Sequence, residues 1–91
     1  MRRVRVIVEG RVQGVGYRYT MRGVARTASV QGWVRNRADG SVEAEIEGTR
    51  DQVDEVLAWM AEGPAGGRVD RAQVTDIPAT GEHGFEVRGD A

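Results

Sequence analysis

The stretch RVRVIVEGRVQGVGYRYTMRGVARTAS, Arg3 to Ser29, changes its hydrophobic period midway. From Arg3 to Glu9 the residues alternate, with Val4, Val6 and Val8 on one side and Arg5, Ile7 and Glu9 on the other; period two with β-branched residues predicts a half-buried strand, ended by Gly10. From Tyr17 the period lengthens. Met21, Val24, Ala25 and Ala28 fall at i, i+3, i+4 and i+7, which predicts a helix from about Tyr17 to Ser29 with one apolar face. Gly23 inside it costs about 1 kcal/mol relative to alanine. Between the two periods lies a glycine-rich connection, so the unit is strand, loop, helix.

The rest of the chain repeats the theme. Gly32 opens a second strand, Trp33 to Arg37, and Ala38-Asp39-Gly40 reads as a tight turn into a third, Ser41 to Glu47. In that strand Val42, Ala44 and Ile46 face in, while Glu43, Glu45 and Glu47 face out as a solvated surface paired with arginine. Thr49 and Gln52 form a capping box, behind which Val53, Val56, Leu57, Met60 and Ala61 mark a second helix, Arg50 to Glu62. Gly63-Pro64 stops it. A fourth strand lies within Arg68 to Ile77, and Phe85 to Arg88 makes a short last one. Two interleaved βαβ units with right-handed crossovers give an α+β domain, the ferredoxin-like split β-α-β sandwich: an antiparallel sheet with both helices on one face and a short C-terminal strand added. It covers residues 1–91 as a single domain.

Composition removes several functions. Cysteine is absent and His83 is the only histidine, which excludes a disulfide framework, a thiol nucleophile and cysteine-bearing metal sites, including the metal carriers of this architecture. The chain has to fold by packing alone, just above the roughly 70 to 80 residues below which a core needs staples. All 13 basic residues are arginine, set against 14 acidic ones for a net charge of −1. That balance argues against a general nucleic-acid clamp. An RNA-binding sheet of this kind needs aromatic rings on its exposed face; strands one and three present Arg5, Ile7, Glu9 and the three glutamates instead. With no apolar run near the roughly 18 residues of a membrane span and no signal-peptide block, the expectation is a soluble cytoplasmic monomer without nucleic-acid or membrane partners.

Chemistry is left to the loop after the first strand. Three glycines, Gly10, Gly14 and Gly16, permit positive φ and close ligand approach, so successive N–H groups can turn toward one centre beside a helix N-terminus. Arg18, in the first helical turn, sits at the unfavourable end of the macrodipole by about 0.3 to 1 kcal/mol, a cost that a bound anion reverses. Its planar fork matches two oxygens of a phosphoryl group. The loop by itself reads either as an anion nest or as a glycine-rich turn with a solvated arginine, with Arg11 and Arg22 placed to add positive field. Its spacing imitates cysteine-dependent phosphatases, but Val12 stands where their nucleophile would be, and no Gly-Lys-Ser/Thr follows for a nucleoside triphosphate. His83 reads as a solvated bystander, Arg88-Gly89-Asp90 as a chance likeness to an adhesion tripeptide, and Trp59 as cover on the second helix. Asn36, taken alone, is a polar residue before a turn.

GRVQGVGYR, Gly10 to Arg18, followed by GWVRNRADGSVEAEIEG, Gly32 to Gly48, resembles the two signature blocks of the acylphosphatases, over essentially the whole chain. The resemblance implies hydrolysis of acyl phosphates to carboxylate and inorganic phosphate by direct attack of water, with no metal, cofactor or phosphoenzyme. It assigns phosphate binding to Gln13, Gly14, Val15, Gly16, Tyr17 and Arg18, and water positioning to Asn36, with Arg18 and Asn36 as the catalytic pair. Inorganic phosphate is then both product and competitive inhibitor. Gly16, Gly23 and the Gly89-Asp90-Ala91 tail depart from the family pattern and bear on stability. A non-catalytic acyl or carbamoyl phosphate-binding module is the alternative, disfavoured by the absence of a second domain to receive the ligand. Parallel first and second strands, with the third between them, should bring Arg18 and Asn36 to the same edge.

Overall fold

In the computed structural model, which describes residues 1–89, the strand β1 (Arg2–Arg11) is followed by helix α1 (Tyr17–Thr27), strands β2 (Gln31–Asn36) and β3 (Val42–Gly48), helix α2 (Arg50–Glu62) and strands β4 (Arg68–Ile77) and β5 (Phe85–Val87). The tail residues Asp90, which ends the adhesion-like tripeptide, and Ala91 lie outside the described residues. The sheet order is β4-β1-β3-β2-β5. β1 is antiparallel to both β3 and β4, and β2 to β3, so β1 and β2 run parallel with β3 between them, as expected. The antiparallel sheet acquires one parallel edge: β5 lies parallel to β2, with Gly32 opposite Phe85. No helix among the described residues is long and apolar enough to cross a membrane.

Both helices pack on the sheet face formed by the in-pointing residues of the alternating strands. Val4 pairs with Ile46, Val6 with Ala44 and Val8 with Val42, and all six are fully buried. Met21 and Ala25 of α1 and Val53, Val56 and Met60 of α2 close the layer; Ala61, one position past that stripe, is exposed. α1 ends two residues before its expected limit, because the Val30 amide donates to Ala25 O at 2.8 Å and the Ser29 amide to Arg26 O at 3.1 Å. This pairing is a Schellman motif, with Ser29 in the left-handed position at φ 60°. The capping box of α2 is present: the Gln52 amide donates to Thr49 Oγ1 at 3.2 Å and the Thr49 amide to Gln52 Oε1 at 2.9 Å.

Two expectations are corrected. β1 does not end at Gly10; it runs on to Arg11 across a bulge at Glu9 and Gly10. A Cβ at Gly10 would stand 2.3 Å from Arg68 O, so glycine allows β4 to approach and the strand to continue. The glutamate face is not solvated throughout. Glu43 and Glu47 are buried, and so is Arg3. Arg3 donates to Glu45 and Glu47 at 2.9 and 3.2 Å, while Glu47 accepts from the amides of Thr80 and Gly81 at 2.8 and 3.1 Å. The 78–84 loop, between β4 and β5, is thereby fastened over this end of the sheet.

Candidate active site

The loop leaving β1 enters α1 without a side-chain cap. Gly16 is the N-cap residue, in left-handed conformation at φ 77°, and Gly14 has φ 75°. Val15 between them does not have positive φ. Alternation of left-handed and ordinary backbone is what turns successive N–H groups into one concavity. The first helical hydrogen bond runs from the Thr20 amide to Gly16 O at 3.0 Å. The amides of Tyr17, Arg18 and Tyr19 therefore have no intrahelical acceptor, and the positive end of the helix dipole lies with them. A hollow of about 130 Å³ opens here. It is lined by Val12, Gly14, Gly16 and Tyr17 from the loop, by Arg18 and Tyr19 from the first turn of α1, and by Asn36 from the end of β2.

Arg18 and Asn36, predicted to converge, thus border the same space. Arg18 Nη1 donates to Arg88 O, just beyond β5, at 2.7 Å, and its guanidinium lies 5.8 Å from the Tyr19 ring centroid. Asn36 is partly exposed, and no hydrogen bond to its carboxamide is formed among the described residues. The remaining loop positions divide by what their side chains do. Gln13 Nε2 donates to Arg37 O at 2.8 Å and to Ser41 O at 2.9 Å, so its side chain ties the loop to the β2–β3 turn and only its backbone is left for an anion. Tyr17 is buried, its hydroxyl donates to Met60 O at 2.8 Å, and its ring sits 5.0 Å from that of Trp59. Burial pushes the Tyr17 hydroxyl well above its ordinary pKa of 10, so it remains a neutral donor. Val15 is partly buried against the core.

The turn facing the loop is itself braced. Asp39 accepts from the Ser41 hydroxyl at 2.5 Å and from the Ser41 amide at 3.0 Å, and these bonds, the hydroxyl first, hold its carboxyl below the ordinary range. Sequence reasoning missed four participants. Tyr19 lines the hollow although 59% exposed; an aromatic ring on the polar side of a first helical turn was the available signal. Arg88 contributes a main-chain carbonyl, which leaves no trace in the sequence. The others are the Arg37 and Ser41 carbonyls that hold Gln13, equally invisible. His83 is exposed, and Trp59 is partly buried beside Tyr17.

Residues 4–87 match the acylphosphatase family model. The chain belongs to the acylphosphatase family. An acylphosphatase of Rubrobacter xylanophilus is 51% identical over 88 residues, covering 96% of this chain and 80% of its own. An acylphosphatase of Thermococcus kodakarensis is 46% identical over 91 residues, covering 98% of this chain and 100% of its own. Among solved structures, the acylphosphatase from Bacillus subtilis superposes with a TM-score of 0.93 at 36% identity, over 97% of this chain and 99% of that one. The α+β sandwich and the family resemblance read from the two sequence blocks both agree with these likenesses.

Proposed function

We propose that this acylphosphatase hydrolyses acyl phosphates through the hollow between the 13–18 loop and β2, without a metal or a phosphoenzyme. The observation that carries the reading is that the glycine-rich loop, the first turn of α1 with Arg18, and Asn36 all border one space large enough for a phosphoryl group and an adjacent water. The backbone of Gln13 to Tyr17 and the Arg18 guanidinium hold the non-bridging oxygens. Asn36 accepts a hydrogen bond from the attacking water and so fixes its line of approach to phosphorus. The leaving group is a carboxylate whose conjugate acid has a pKa of about 4, so it departs without a general acid. A loose transition state asks little of a base, because the water proton is lost late. Positioning and preorganised charge then supply the rate, which is why a chain without cysteine can do this chemistry. Inorganic phosphate, leaving the same cradle, competes with substrate, and the working form is a cytoplasmic monomer.

The test is hydrolysis of benzoyl phosphate in excess chelator. The wild type turns over, and Arg18→Ala and Asn36→Ala each lose about 10² to 10³ in rate, the cost of removing one preorganised donor or acceptor. Activity that requires added metal, or that survives both substitutions within about tenfold, rejects the mechanism. Tight phosphate binding with no turnover selects a binding module instead.

A further inference from the structure

Helix α1 carries Arg18, Arg22 and Arg26 at successive i+4 positions and no acidic residue in its first turn or elsewhere. That spacing lines the three cations along one side, where like charges repel. Arg18 belongs to the phosphate hollow. Arg22 stands one turn farther and is partly buried, while Arg26 is exposed. Among the described residues Arg22 makes no ion pair; what holds it is Tyr19. The Arg22 guanidinium carbon is 5.4 Å from the Tyr19 ring centroid, and the Arg18 guanidinium carbon is 5.8 Å from the same centroid. Two distances ending on one point bound the separation of the two guanidinium carbons by their sum. Tyr19 also lines the phosphate hollow, so the ring connects the place where phosphoryl binds to the place where Arg22 sits.

We propose that Tyr19 and Arg22 form a second anion subsite that reads the acyl portion of the substrate, favouring acyl phosphates whose chain ends in a carboxylate. The assignment rests on the reading that the phosphoryl group lies at Arg18. With phosphoryl there, the acyl chain crosses the face or edge of Tyr19, and its terminal carboxylate meets the Arg22 guanidinium. Cation–π attraction holds that guanidinium beside the ring. Arg26 lies a further turn away, roughly 6 Å along the axis, and no ring holds it.

The test compares kcat/KM for succinyl phosphate with that for butyryl phosphate, a chain of the same length without the terminal charge. The wild type prefers succinyl phosphate by about fivefold at low salt, the upper end for an exposed ion pair, and the preference shrinks as salt is raised. The ratio falls toward one in Arg22→Gln and Tyr19→Leu and persists in Arg26→Gln. A wild-type ratio near one, or a preference retained in Arg22→Gln, overturns the subsite. Calorimetric binding of 4-phosphonobutyrate against butylphosphonate separates this from the hydrolysis reading. Preference for the carboxylated phosphonate, lost in Arg22→Gln, supports the subsite even if neither acyl phosphate turns over; equal affinities overturn it even if both do.

Discussion

The Gln13 carboxamide donates to Arg37 O and Ser41 O across the gap between the 13–18 loop and the β2–β3 turn. A glutamine in a phosphate loop invites the reading that its side chain touches phosphate, but both of its N–H donors end on carbonyls of the turn next to Asn36. Its contribution is to set how far the loop stands from the asparagine. Gln13→Ala removes both hydrogen bonds, worth about 0.5 to 1.5 kcal/mol each, and loosens that spacing. We expect kcat/KM to fall by about tenfold, since misplacement of about 1 Å costs up to 10², with a smaller loss in thermal stability. Unchanged kinetics in a folded Gln13→Ala protein would show that the spacing is set elsewhere. Arg18 is different in kind: its residue type and first-turn position already pointed to an anion, whereas the Arg88 carbonyl that orients it is a main-chain atom no sequence pattern can mark.

At the scale of elements, α1 and the 78–84 loop show what local pattern can and cannot foresee. The apolar stripe of α1 was legible from its spacing, and so was the anomaly of Gly23. A Cβ at Gly23 meets nothing within 4 Å, and the residue is exposed. Nothing in the fold demands glycine there, so Gly23→Ala should stabilise the protein by about 0.5 to 1 kcal/mol, measured by denaturant midpoint; a loss of stability would mean an unseen packing role. The loop over the sheet is the opposite case. Its hold depends on Glu47, whose carboxyl is kept below its ordinary 4.5 by the Thr80 amide, then by Arg3 and the Gly81 amide, which outweigh its burial. A depressed carboxylate contributes stability above its unfolded pKa and loses it as pH falls through the folded value. Below about pH 4.5 the wild-type melting temperature should therefore drop with acid more steeply than that of Glu47→Gln. Parallel curves for the two proteins would remove Glu47 from the acid response.

For the whole molecule, binding of phosphate to the folded state alone predicts a concentration-dependent gain in stability. At a hundred times its dissociation constant, phosphate should add about 2.7 kcal/mol, read as a raised melting temperature in the wild type and a much smaller one in Arg18→Ala. Equal shifts in both would place the bound anion away from the loop. The convergence that makes this possible is topological. β1 and β2 are parallel with β3 between them, so the loop after β1 and the end of β2 meet at one edge though Arg18 and Asn36 are far apart in the chain. The sequence by itself determined the elements, the fold class and the arginine at the helix start, because hydrophobic period, glycine placement and helix polarity are local properties of the chain. Tertiary structure alone decided the edge position of β5 and the burial of Arg3, Glu43 and Glu47. It also committed the Gln13 side chain to the β2–β3 turn. Each of those depends on partners distant in the chain, whose approach is fixed only when the sheet and the loops over it have packed.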